Sequence, residues 1–246
     1  MRLCSLLGAA ALFVLPAVSS AAADEGPGDC LGVDFDVAHP ITIAKIIADQ
    51  PRVHFVKGAS DDASCPAAGD ACREKAYLIP GNLALIGKTF LGKTLDKTNA
   101  AYTCVSYESA DAAKVQWTAG WVPSASMTPV LAEPAPSRSD WIGDWVHAGG
   151  HITISNGKNG GLDIHGEAFY AAAQNVHTGV IDATAKPAQG LLQFGDDGTT
   201  PFDKASNDKG SCLVRMQRVE ALLAVEDNNA CGGVLVTFTG FYRRTK

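Results

Sequence analysis

The 246 residues contain no CxxC pair, no G-x-S-x-G and no sustained helical periodicity. The first absence argues against a cysteine-based zinc site, which needs closely spaced thiolates. The second removes the nucleophile elbow of a serine hydrolase. The third leaves short strands as the main building element. Basic residues are scarce as well: 20 Lys and Arg stand against 26 Asp and Glu, a formal net charge of −6. The largest basic cluster, Arg243, Arg244 and Lys246, reads as a solvated strand end. Nucleic-acid affinity rests on clustered cations, so no nucleic-acid partner is expected.

The one long apolar run is at the start, Leu3 to Val18, behind Arg2 and ahead of Ala21-Ala22-Ala23 and Asp24. That order predicts a signal peptide over residues 1–23, cut after Ala23. The run is too short for a stable membrane anchor, and PGDC at Pro27 to Cys30 lacks the small-residue box of a lipid-modified N-terminus. The expectation is a soluble exported chain, periplasmic or extracellular. Losing Arg2 leaves 19 basic against 26 acidic residues, a charge of about −7.

Cleavage also removes Cys4 and leaves six cysteines: Cys30, Cys65, Cys72, Cys104, Cys212 and Cys231. An even number in an exported chain predicts three disulfides. LAEPAPSRSD, residues 131–140, reads as a linker between a first domain (24–130) and a second (141–246), each of ordinary domain size. Within the second, Cys212 can pair only with Cys231, enclosing a loop worth on the order of 3 kcal/mol in the chain-entropy model. The four cysteines of the first allow three pairings. Cys65 and Cys72 share one loop and are expected to pair, leaving Cys30 for Cys104.

Both halves read as strands between turn residues. The first offers PITIAKIIADQ, RVHFVKG, AYLIP, NLALIG, AYTCVSYES and KVQWTAGWVP, although IAKIIAD could also make two helical turns. The second offers eight segments: DWIGDWVHA, HITISN, GLDIHGEAFY, NVHTGVIDAT, GLLQFGD, SCLVRMQRV, LLAVED and VLVTFTGFYRR. Eight short strands predict an up-and-down barrel, because closure removes exposed edges. In DNNACGG, Asn228, Asn229, Gly232 and Gly233 supply turn chemistry.

Several motifs invite a chemical role. GKTFLGKT, Gly87 to Thr94, fits the phosphate-loop pattern but runs into LDKTNAAYTC rather than a helix, so it is expected to be a connection inside a β domain. His147 and His151 flank a Gly-Gly turn and are placed opposite each other, with His165 and His177 on later strands. Nothing in their spacing converges three ligands, so no metal and no cofactor are expected. Asp61, Asp62, Glu220, Glu226 and Asp227 could be assembled into a carboxylate pair but read better as solvated faces. Trp117 and Trp121 are more informative, since two indoles near one turn could line a ligand groove. No catalytic residues, and no enzyme, are expected.

The segments Arg52-Val53-His54-Phe55-Val56, Pro80-Gly81 and Gly120-Trp121-Val122-Pro123 make residues 41–130 resemble a bacterial SH3-type domain. The long cysteine-bearing loop GASDDASCPAAGDACREK departs from that pattern. From Trp141 the chain is similar to small lipocalin-like barrels that open with Gly-x-Trp, here Gly143-Asp144-Trp145, and its end resembles a domain of uncharacterised exported bacterial proteins. The two resemblances imply an all-β chain, an SH3-like barrel followed by an eight-stranded lipocalin-like barrel. They also imply a non-catalytic binding protein of the bacterial envelope, with a peptide, peptidoglycan or protein partner. An inhibitor of an exported hydrolase such as lysozyme is the alternative, its acidic surface suited to a basic target. Thiol titration of the unreduced, denatured mature chain is expected to find no free sulfhydryl, and any stoichiometric thiol would break the disulfide assignment.

Overall fold

A computed structural model describes residues 29–93, 98–109, 116–171, 175–195, 202 and 210–245. The expected signal peptide and its cleavage point lie outside the described residues. The chain is all-β, built as one half-barrel sheet and one nearly closed barrel.

The first sheet comprises β1 (Thr42–Ile46), β2 (Val53–Val56), β3 (Arg73–Leu78), β4 (Leu83–Lys93), β5 (Asn99–Glu108), β6 (Trp117–Pro123) and β7 (Met127–Val130), in the order β3-β2-β6-β5-β4-β1-β7. Its edges are blunted in two ways. Arg73, Glu74 and Lys75 charge β3, and Pro129 on β7 can donate no ladder bond. β7 had no counterpart in the sequence reading, because four residues containing a proline carry too little pattern. IAKI is strand, with Ile43, Ala44 and Ile46 buried. GKTFLGK lies inside β4, and the close approach of Pro66 O and the Tyr102 ring leaves no room for a side chain at Gly92. A paired strand cannot cradle a phosphate; Thr94 lies outside the described residues.

The barrel comprises β8 (Gly143–His147), β9 (Gly150–Asn156), β10 (Leu162–Ala171), β11 (Val176–Ala185), β12 (Leu191–Gly195), β13 (Leu213–Val219), β14 (Leu222–Asp227) and β15 (Gly240–Arg244). The order β11-β10-β9-β8-β15-β14-β13-β12 joins each strand to its sequence neighbour, returns β15 to β8 and leaves a seam between β11 and β12. One apolar cluster fills the interior, including Trp141, Trp145, Phe238 and Tyr242. Trp145 donates its indole N–H to Trp141 O at 2.8 Å and lies between the guanidinium groups of Arg218 and Arg244, 4.6 and 4.7 Å from its ring.

VLVTFTGFYRR becomes strand only at Gly240. Before it, residues 237–239 turn hydrogen bonds onto Asp227. That carboxylate accepts from Thr237 Oγ1 (2.5 Å), Thr239 Oγ1 (3.0 Å) and Phe238 N–H (3.1 Å). The alternating burial of Val236 and Phe238 survives without a strand, because a side chain replaces the neighbouring ladder.

The three disulfides are Cys30–Cys104, Cys65–Cys72 and Cys212–Cys231. They indicate an oxidising environment. The third holds its loop across the seam: Gly233 N–H donates to Thr178 O at 3.1 Å, and Cys231 O abuts Gly179. The linker is not a free tether either. Glu133 N–H donates to Arg218 O at 2.9 Å, and a short helix α1 (Arg138–Trp141) ends it, with Arg138 bonded to Asn156 Oδ1 at 2.8 Å.

A Cβ at Gly179 would meet Gly232 Cα at 3.0 Å, and one at Gly232 would meet Gly179 Cα at 2.8 Å. Backbone against backbone cannot yield. Gly179→Ala is therefore expected to cost about 1–3 kcal/mol in denaturant unfolding, and an unchanged midpoint would contradict the seam contact.

Candidate functional site

Between Cys30 and β1 the chain leaves the first sheet and crosses the outer face of the barrel. Arg215 on β13 is the receiver. Its guanidinium, 3% exposed, donates to the carbonyls of Asp36 (3.1 Å), Val37 (2.6 Å) and His39 (2.8 Å) and pairs with Glu226 Oε1 at 2.9 Å. Phe35 and Phe202 cover its face. Ile41 N–H donates to Glu226 Oε1 (3.0 Å), and Gln217 donates to Ile41 O (3.0 Å). Every residue of β13 is buried as a result.

The expected groove pair does not line a groove. Trp121 is 1% exposed and sits among Cys30, Cys65, Cys72 and Cys104, so it is a core residue. Trp117 is half-buried against the apolar cluster of Ile43, Leu85, Val219 and Ala224, where the two sheets meet. The strand pattern was right, but the long-range contacts of each indole could not be read from it.

Two depressions remain. One, of about 780 Å³, lies beside the β2–β3 hairpin and the Cys65–Cys72 loop. Val53, Val56 and Tyr102 are buried beneath it, and Ile47, half-exposed, stands at its rim with Arg52, His54 and Pro123. Arg52 lies over the exposed Tyr77 ring at 4.4 Å, and His54 Nδ1 donates to Glu74 O at 2.9 Å, which leaves Nε2 uncommitted. The second, of about 700 Å³, is a cleft between the sheets, lined by β1, β5, β8, β15 and the β13–β14 turn. At its floor Glu108 pairs with His147, both side chains less than a tenth exposed. His147 Nε2 approaches Glu108 Oε1 closely, without the alignment of a hydrogen bond. Glu108 carried no sequence signal, because its partner is remote in the chain.

The other histidines do not converge. The β8–β9 register sets His151 against Val146 and His147 against Gly150, so the two are not opposite each other. His165 bonds Asp182 at 2.8 Å, which raises its pKa, and His177 donates to Val234 O at 2.6 Å. Among the described residues no group of His, Cys, Asp or Glu is arranged to hold a metal.

Glu226 and Asp227 correct the solvated-face expectation, at 3% and 2% exposure. Adjacent on a strand, they point to opposite faces and cannot act as a pair. Glu226 serves the Arg215 cluster and Asp227 the 236–239 segment. Asp61, Asp62 and Glu220 lie outside the buried core, as expected.

Burial pushes the carboxyls of Glu226 and Asp227 up, against the hydrogen bonds that pull them down. The folded chain then holds these protons more tightly than the unfolded one. The resulting stability is present below the ordinary carboxylate range and is lost as pH rises through the raised values. In denaturant titrations from pH 4 to 7, the unfolding free energy of wild type minus that of Asp227→Asn is expected to fall as pH rises. A difference that grows with pH would contradict the assignment. Compared with protein families, curated proteins and solved structures, the chain matches none.

Proposed function

We propose that this is an exported, non-catalytic binding protein of the bacterial envelope, periplasmic or extracellular, whose first domain takes an extended peptide segment of a cell-wall or protein partner. The groove beside the β2–β3 hairpin carries the proposal. It combines a buried apolar floor with a rim of Arg52, His54 and Ile47, the mixture that extended peptides use. Asp70 and Arg73 at its edge already pair with each other at 2.9 Å, so the rim's net demand for charge is small.

The strand run β7-β1-β4-β5-β6, with the β2–β3 hairpin inserted after β1 and a 3-10 turn (Ser124–Ser126) following Gly120-Trp121-Val122-Pro123, supports an SH3-type first domain. The sequential order of β8 to β15 and the Trp145 floor support a lipocalin-like second domain. Its filled interior favours a scaffold over a carrier of ligands inside the barrel.

Co-sedimentation of the mature protein with purified peptidoglycan sacculi, alongside titration with soluble stem peptides and envelope extract, tests the proposal. Wild type is expected to be retained, with Ile47→Asp and Arg52→Ala retained at least fivefold less. No retention by any of the three, or equal retention of the groove variants, would overturn it.

A further inference from the structure

The cleft between the sheets is built differently from the groove. Its floor is held in place from several sides. Gly149 N–H donates to His147 Nδ1 at 3.1 Å, which puts the neutral ring's proton on Nε2, facing Glu108. The ring stacks on Tyr242 with centroids 4.8 Å apart. Phe241 N–H donates to Glu108 Oε2 at 3.3 Å, and a Cβ at Gly240 would lie 2.5 Å from His147 Nε2 and 2.9 Å from Glu108 Oε2. Neither floor side chain has space to swing. On the flank, Lys45 and Glu220 pair with each other across the two sheets. The flank charges of Lys45 and Glu220 thus offset each other, and the floor carboxylate of Glu108 is already engaged by His147 Nε2 and the Phe241 N–H.

Arg243 is the exception. It is exposed, lines the cleft and has no side-chain partner among the described residues. The ladder sets it between Val146 and Leu222 in one cross-strand row. Leu83, Tyr107 and Phe241 complete an apolar surround. The surface thus offers one uncompensated cation in apolar walls, on rigid strands, within a volume suited to a small ligand. A guanidinium matches a carboxylate in a planar, two-pronged geometry. A more highly charged anion such as a phosphate monoester would meet the nearby carboxylates of Glu220 and Glu108 at greater cost.

We propose that the inter-sheet cleft is a second ligand site, binding a small organic monocarboxylate with an apolar body, its carboxylate on Arg243 and its body along Val146, Leu222 and Phe241. An acyl chain and an apolar peptide C-terminus both present that chemistry.

Titration calorimetry on the full mature chain tests the site with hexanoate, octanoate and N-acetyl-Leu-Phe, with octanamide and octyl phosphate as controls. Affinity for the alkanoates is expected to rise roughly fourfold per added methylene, and Arg243→Gln is expected to weaken binding at least tenfold with an unchanged thermal midpoint. Tighter binding of octanoate than of N-acetyl-Leu-Phe would support the site and identify an acyl chain as the source; the reverse would support it with a peptide terminus. Octanamide binding as well as octanoate, octyl phosphate binding tighter, or an unaffected Arg243→Gln would each overturn the proposal. Ile47→Asp at the groove is expected to leave carboxylate binding intact, so failure of one site is distinguishable from failure of the other.

Discussion

A single guanidinium organises the relation between the two sheets. Arg215 is buried, and an unpaired charge there would be costly. Three strap carbonyls, Glu226 and Gln193 between them use its donors. The three carbonyl bonds exist only while residues 36–39 lie across β13. The strap in turn carries the chain into β1, whose Ile43 packs with Leu85, Val219 and Ala224 between the sheets. Removing the strap would expose the buried outer face of a barrel strand, so the orientation of the sheets and the burial of Arg215 are one constraint.

The cleft is a consequence of that orientation. The two sheets meet along the Arg215 strap and the Trp117 cluster, and the cleft lies beside that contact. Glu108 and His147 close its inner end, while Lys45 and Glu220 cross its flank. The groove on the first sheet has a separate origin. It arises from the β2–β3 hairpin and the Cys65–Cys72 loop and is independent of the barrel. One depression is thus local to the first sheet and the other is shared between the two sheets.

Much of the barrel was legible because its strands are local and their turns carry Gly and Asn. All eight of its segments became strands, though the last begins late. The misjudged segments share a cause. Residues 236–239 alternate like a strand, yet Phe238 N–H and the Thr237 and Thr239 hydroxyls bond the Asp227 side chain, which periodicity cannot register. Glu226 and Asp227 read as surface groups because acidic residues usually are; the strap and the 236–239 segment bury them. Trp117 and Trp121 were placed on the correct strand, but the disulfide cluster buries one and the barrel covers the other.

The amino-acid order by itself determined the all-β class, the strand segments of the barrel and the Cys212–Cys231 pair, and left three pairings for the other four cysteines. These depend on side-chain alternation, turn residues and cysteine positions, which are properties of neighbouring residues and of covalent chemistry. The tertiary structure alone decided which faces are covered, which charges are buried and where the surface depressions form. Those outcomes depend on surfaces far apart in the chain meeting in one register. Nothing local to Arg215, Glu108 or Arg243 encodes what stands opposite each of them.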